Sequence, residues 1–255
     1  MVGDIDIRYA THPTEMAALD GGALRARFLL DELFVPGSAR LALSHHDRLV
    51  VGGILTAGRS VPLRAPAELR AAEFCDRREV GIVCLAGPGT VTAGRERYEM
   101  EAEDLLYLGA GTGPIAFAGD DAAFYLVSAP AHSRHPAALA RRDEVEAVEI
   151  GDAAHANLRT IRKYVHAGGI RSCQLAMGIT TLEPGSVWNT MPCHTHERRT
   201  EVYLYFDLPA EERVIHVCGR SDATRSIVVA DRQAVISPPW SVHFGAGTSA
   251  YRFVW

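Results

Sequence analysis

Pro192-Cys193-His194-Thr195-His196-Glu197-Arg198-Arg199-Thr200-Glu201-Val202-Tyr203 is the stretch on which the reading of this chain turns. Side chains two apart on a strand share a face, so a strand here points His194 and His196 one way and Cys193 and Thr195 the other. Glu197, Arg198 and Arg199 supply a short turn, and a neighbouring strand then brings Glu201 beside the two imidazoles. A fourth donor, His243, follows the turn Ser237-Pro238-Pro239-Trp240. Three imidazoles and a carboxylate suit zinc, manganese, iron or nickel. A pair of histidines two apart is common on surfaces and in cores. The His-x-His-x4-Glu spacing together with the distal histidine sets this one apart.

Outward from that stretch, strand signals dominate. Val80 to Ala86, Asp104 to Leu108, Ala123 to Ala129, Cys173 to Leu182, Glu201 to Phe206, Arg213 to Cys218, Ser226 to Ala230 and Ala250 to Trp255 are short, rich in β-branched or aromatic residues, and punctuated by Gly, Pro and Asp. Two short helices are expected, one capped by Asp20 with Leu24 and Phe28 on one face, the other over Pro66 to Phe74. Many short strands with Gly/Pro turns predict an all-β sandwich or barrel, and the barrel core of the second half is expected from Val202, Leu204, Val217 and Ile236.

The charged run Arg141-Arg142-Asp143-Glu144-Val145-Glu146 interrupts the strand pattern and reads as a linker, giving an N-terminal domain 1–145 and a C-terminal domain 146–255. Asp104-Leu105-Leu106-Tyr107-Leu108-Gly109 matches Gln233-Ala234-Val235-Ile236-Ser237-Pro238 as an apolar strand entering a Gly- or Pro-rich turn. If the halves repeat, His243 maps near Pro114, and only the second half keeps a metal site.

Composition excludes several classes. The chain has 255 residues, 47% hydrophobic and 22% charged, with a formal net charge of -5 and no basic block, so no nucleic-acid partner is expected. Cys75, Cys84, Cys173, Cys193 and Cys218 form no CxxC pair and are odd in number, which suits reduced thiols in a cytoplasm rather than a disulfide framework. Met1-Val2-Gly3-Asp4-Ile5-Asp6 lacks a basic start followed by an apolar run, and no stretch approaches the ~20 apolar residues of a spanning helix. Neither a leader nor a membrane partner is expected.

The His-x-His, Glu and later Pro-Pro-Trp-Ser-Val-His pattern resembles the motifs of cupins. The stretch Asn189-Thr190-Met191-Pro192-Cys193-His194-Thr195-His196-Glu197-Arg198-Arg199 with Glu201-Val202-Tyr203 is similar, more narrowly, to the 4-deoxy-L-threo-5-hexosulose-uronate ketol-isomerases (5-keto-4-deoxyuronate isomerases). Asp47-Arg48, Val51-Gly52-Gly53-Ile54, Arg77-Arg78-Glu79, Ala129-Pro130-Ala131-His132, Arg159-Thr160-Ile161, Ala234 to Pro238 and Trp240-Ser241 carry the same resemblance. It implies a double cupin whose first barrel is degenerate, one zinc ion per chain on His194, His196, Glu201 and His243, and a homohexamer. It also implies conversion of 5-dehydro-4-deoxy-D-glucuronate to 3-deoxy-D-glycero-2,5-hexodiulosonate in pectin breakdown, by proton transfer through an enediol or by a hydride shift. The resemblance further implies a Gly-rich acidic tail, whereas the sequence stops at Trp255, truncated or naturally short, and Thr200 stands where a larger apolar residue is expected.

Substrate candidates are Arg162 and Lys163 for the carboxylate and Gln174 as a barrel-lining residue, with Arg198 and Arg199 next in line. The acid and base are not identified by the residues. Trp188, Trp240, His45, His46 and His132 are read as core, interface or solvent-facing. Competing readings are 5-deoxy-glucuronate isomerase, an iron dioxygenase on the same ligands, a non-catalytic sugar-binding cupin or a storage-type cupin.

Overall fold

Runs of β-branched and aromatic residues pair as antiparallel strands, and strand alternation assigns each run one face to a core. The computed structural model describes residues 5–255; Met1 to Asp4, part of the segment read for a leader, lie outside the described residues. The chain divides into two compact units. One takes residues up to Ile7, Glu32–Glu146 and Lys163–Met177, and the other takes Arg8–Asp31, Ala147–Arg162 and Gly178–Trp255.

A seven-stranded sheet carries Asp6–Arg8, Ser38–Ser44, Val50–Leu55, Ala123–Pro130, Arg78–Ala86, Leu105–Leu108 and Ala138–Ala140 in that order. A four-stranded sheet orders Val61–Leu63, Ile115–Ala118, Gly89–Ala93 and Glu96–Met100. Val80, Ile82, Cys84, Leu106, Leu108, Phe117, Phe124 and Leu126 build the first unit's core. The second pair of sheets repeats the plan. Its large sheet orders Ala147–Ile150, Arg159–Val165, Met177–Leu182, Arg252–Val254, Glu201–Phe206, Gln233–Ser237 and Leu29–Leu30, and its small one Trp188–Asn189, Val242–Gly247, Val214–Arg220 and Ala223–Val229.

Strand by strand the two orders correspond, so Leu105–Leu108 and Gln233–Ser237 occupy the same place, as the repeat reading expects. Leu108 pairs with Val80, and Ser237 with Glu201, so Val80 stands where Glu201 stands. The counterpart of Val242–Gly247 is Ile115–Ala118, one residue beyond Pro114, and its core positions are Ile115 and Phe117. At these positions the first unit has hydrocarbon where the second has Glu201 and His243.

One helix forms as expected, and several other expectations need correction. Asp20 caps the helix Gly21–Phe28, accepting from the Ala23 amide at 2.7 Å, with Leu24 and Phe28 buried; such a cap contributes about 1 kcal/mol. Over Pro66 to Phe74, however, only a 3-10 turn at Ala67–Leu69 forms. The run Arg141 to Glu146 is not slack. Arg141 reaches the buried Asp104 carboxylate at 2.7 Å and Arg142 the buried Glu103 at 3.2 Å. The strand expected from Cys173 begins at Met177, because the amides of Cys173, Gln174 and Leu175 donate instead to the fully buried Glu79 carboxylate at 2.6, 2.6 and 2.8 Å. This draws the segment 163–177 into the first unit, while Leu29 and Leu30 extend the second unit's sheet by pairing with Val235 and Ala234. The units are therefore discontinuous in sequence where 1–145 and 146–255 were expected. Finally, Val202, Leu204 and Ile236 lie on the strand face opposite Glu201, and Val217 is half-buried. The interior belongs to Tyr203, Tyr205, Val235, Tyr251 and Phe253, because alternation puts residues 203 and 205 on the Glu201 side.

Candidate metal centre

Glu201 opens the strand Glu201–Phe206, and His243 is the second residue of Val242–Gly247, paired with Cys218 on Val214–Arg220. His194 and His196 are not on a strand. They lie in an irregular segment between Asn189 and Glu201, so the shared face expected from alternation is replaced by loop geometry that still brings the rings together. The rings form a near-equilateral triangle, with centroids 4.6, 4.8 and 4.9 Å apart. One donor atom from each of His194, His196 and His243 lies within 4.8 Å of the others. Glu201 Oε2 is 3.2 Å from His196 Nδ1 and 3.4 Å from His243 Nε2.

This set fits a divalent ion. Donors sharing one zinc at about 2.0–2.2 Å are separated by roughly 3.0–3.5 Å, the range in which the two contacts to Glu201 fall. Neither contact has hydrogen-bond geometry, so His196 Nδ1 and His243 Nε2 are buried nitrogens with no hydrogen-bond partner. Buried polar atoms are ordinarily satisfied, and an unsatisfied pair converging on a carboxylate fits a cation position.

Electrostatics favour the ligating forms of the histidines. Burial pushes His196 down to about 4, aided by Arg199 and His194. Burial and then His196 push His243 down to about 4. Both rings are held in the neutral form that ligates a metal, and His194 Nε2 stands 2.8 Å from His196 Nε2. Burial raises Glu201 to about 7, opposed by Arg199, so below neutral pH this carboxyl holds a proton in the metal-free chain that a bound cation would displace.

Beneath the cluster lies a buried polar layer that the sequence reading missed. Tyr205 Oη is 2.8 Å from His216 Nδ1, and His216 Nε2 is 3.3 Å from Ser237 Oγ. Burial lowers His216 to about 3, so it is a neutral hydrogen-bonding strut. Tyr203 packs against His243 with ring centroids 5.6 Å apart. Alternation from Glu201 would have identified Tyr203 and Tyr205.

The proposed substrate residues are not brought to the cluster by any hydrogen bond or ion pair among the described residues. Arg162 is half-buried with Nε unpartnered, Lys163 is exposed, and Gln174 is exposed and donates to the Pro130 carbonyl at 2.8 Å. Arg199 acts electrostatically on Glu201, His196 and His243, and Arg198 on His196. Cys193 is exposed, Trp188 stacks on Phe244 at 6.4 Å, and Trp240 packs against the core. Arg77-Arg78-Glu79 belongs to the first unit. There Arg78 is buried, donating to Ser128 and to the Arg48 carbonyl.

Comparison with known proteins gives this geometry a context. The chain is 47% identical over 255 residues to the 4-deoxy-L-threo-5-hexosulose-uronate ketol-isomerase of Kineococcus radiotolerans, spanning 97% of this chain and 91% of that protein. Its likeness to proteins of the same name is 46% in Cereibacter sphaeroides (98% of this chain, 91% of that protein) and 42% in Caldicellulosiruptor bescii (98% and 92%). Among solved structures, an IolB-like protein from Salmonella typhimurium superposes with a TM-score of 0.67 at 19% identity, covering 81% of each chain. The oxalate decarboxylase of Lactobacillus farciminis does so with 0.60 at 13%, covering 85% of this chain and 79% of that one. These likenesses bear out the all-β cupin fold. With residues 36–255 matching its description as well, the chain belongs to the KduI/IolB family.

Proposed function

We propose that the chain is a metal-dependent ketol-isomerase converting 5-dehydro-4-deoxy-D-glucuronate to 3-deoxy-D-glycero-2,5-hexodiulosonate. The observation that carries this reading is the convergence of His194, His196, His243 and Glu201, with two unpartnered ring nitrogens, in a chain whose relatives bear that activity in their names. The three imidazoles and Glu201 hold one ion per chain, and zinc suits their nitrogen and oxygen donors. When bound, the ion supplies a Lewis acid that polarises the substrate carbonyl and adjoining hydroxyl. Tyr203 and His216 close the floor of the site against water. Arg199 is proposed to take the substrate carboxylate, ahead of Arg162, Lys163 and Gln174, because it alone of these is coupled to the cluster.

The wider setting is proposed on the same basis: pectin-derived uronate as the substrate source, a cytoplasmic location consistent with five free cysteines, and a homo-oligomer, a hexamer by family resemblance. No described helix is long and apolar enough to cross a membrane. Trp188, Ala246, Ile215 and Val228 are in register across the small sheet of the second unit. Trp188, Ile215 and Val228 are 38%, 44% and 52% exposed, an apolar row that assembly would cover. Sedimentation as a monomer at micromolar concentration would exclude the oligomer.

The activity is tested by supplying freshly lyase-generated unsaturated uronate and following product before chelation, after chelation and after adding zinc back. Loss on chelation and recovery with zinc are expected. Turnover indifferent to chelation, or none with any divalent metal, would refute the reading.

A further inference from the structure

The histidine loop has to be held in place by something other than a sheet, since residues 191–200 form no strand. Thr190, where the chain leaves Trp188–Asn189 for that loop, adopts φ 55°. The left-handed region is uncommon for any residue with a side chain and unfavourable for a β-branched one. Such a conformation persists only where surroundings over-determine it, and here side-chain hydrogen bonds do so. The Thr190 hydroxyl donates to Asn189 Oδ1 at 2.8 Å and, 3.0 Å from the Tyr203 hydroxyl, has a lone pair to accept from it. Asn189, itself buried, donates from Nδ2 to Tyr251. Tyr203 is buried, its ring stacked on Phe253 at 4.8 Å and packed against the His243 ring at 5.6 Å. Tyr203 therefore packs against one histidine donor of the cluster and, through Thr190, fixes the root of the segment that carries the other two.

We infer that Thr190 and Tyr203 are positioning residues. The Tyr203–Thr190 bond ties the strand bearing Glu201 to the loop bearing His194 and His196, and the strained Thr190 backbone is kept because it aims that loop. The inference rests on reading His194, His196, Glu201 and His243 as a metal site. It goes beyond that reading in assigning the geometry of the site to two residues that are not ligands. Outer hydrogen-bonding partners of metal ligands typically control metal affinity by 10–100-fold.

The test uses cobalt(II) as a probe, whose visible absorption reports donor geometry, in full-length stripped protein. It reads affinity, spectrum and the melting temperature of the metal-free chain. Thr190→Val and Tyr203→Phe are expected to weaken cobalt binding about 10–100-fold and to alter the spectrum. Their double variant should be little worse than Thr190→Val alone, since the Tyr203–Thr190 bond is common to both changes. Thr190→Ser, which keeps the hydroxyl, should restore binding. Thr190→Gly separates positioning from mere structure. It relieves the backbone strain and should leave the metal-free chain as stable as wild type or more so, while still weakening cobalt binding. Should Tyr203→Phe fail to fold, the Thr190 series decides alone. Wild-type cobalt affinity and spectrum in Thr190→Val and Thr190→Gly would overturn the inference. Failure of the wild-type chain to bind cobalt, or undiminished binding by His243→Ala, would instead overturn the metal-site reading beneath it.

Discussion

Removing the carboxylate from the cluster should change how metal binding responds to pH, and the size of the change follows from the burial of Glu201. In the metal-free chain that carboxyl sits near 7, so about nine-tenths of it is protonated at pH 6 and about one-tenth at pH 8. A cation needs the ionised form. Binding at pH 6 must therefore displace close to one proton from Glu201, weakening apparent affinity roughly tenfold, or about 1.4 kcal/mol, relative to pH 8. His196 and His243, both near 4, contribute almost nothing over this range. Comparison of wild type with Glu201→Gln isolates the carboxyl's share. Calorimetric zinc titrations in buffers of different ionisation enthalpy should show about 0.9 fewer protons released at pH 6 by the variant. The pH 8 to pH 6 affinity ratio should likewise be about tenfold smaller. Equal proton release by the two proteins would refute the placement of Glu201 as a buried, metal-facing carboxyl.

Other consequences are equally direct. Glu79→Ala strips the acceptor from three amides and from the Tyr107 hydroxyl. At about 1–3 kcal/mol per stranded donor, with incomplete additivity, urea unfolding should register a loss of at least about 3 kcal/mol; a loss under 1 kcal/mol would contradict the clamp. The stripped protein should be acid-sensitive. His216, His196 and His243 have folded values of about 3, 4 and 4, below the unfolded 6.5, so stability drops as pH falls through 6.5. Glu201, raised from 4.5 to about 7, acts oppositely. Discounting His196, which is partly open to solvent, the net excess of about one to two protons in the unfolded state gives roughly 1–2 kcal/mol per pH unit near 5.5, and urea midpoints equal at pH 7.5 and 5.5 would exclude it. Arg199→Ala should raise KM about ten- to a hundredfold by losing a charge-assisted contact worth roughly 1.5–3 kcal/mol, with metal content unchanged. If Arg162→Ala and Lys163→Ala give that result instead, the carboxylate sits with them.

The candidate ligands were legible because spacing alone gathers them. His194, His196 and Glu201 fall within eight residues, and the Pro-rich turn before His243 marks the facing strand. The geometric reason given for the histidine pair was still wrong, since the pair lies in a loop held from outside by Tyr203 and Thr190. Local alternation has no view of such a tether. Gln174 was misplaced for a related reason. Its amide is taken by a carboxylate 95 residues earlier, a long-range competition that strand propensity does not register. The repeat was legible in two apolar strands, yet not the exchange of segments between units, which depends on Glu79 and on the edge pairing of Leu29 and Leu30. The interior was misassigned by choosing the most apolar residues, Val202 and Leu204, over the parity that Glu201 dictates. That parity fills the barrel with tyrosines whose hydroxyls reach polar partners.

One measurement joins metal, stoichiometry and chemistry: isomerisation rate followed while a metal-stripped sample is titrated with zinc. The account predicts a rate near zero without metal, rising linearly to a break at one zinc per chain, with no rise at all in His243→Ala. A rate already full before zinc is added, or a break at two per chain, would contradict it.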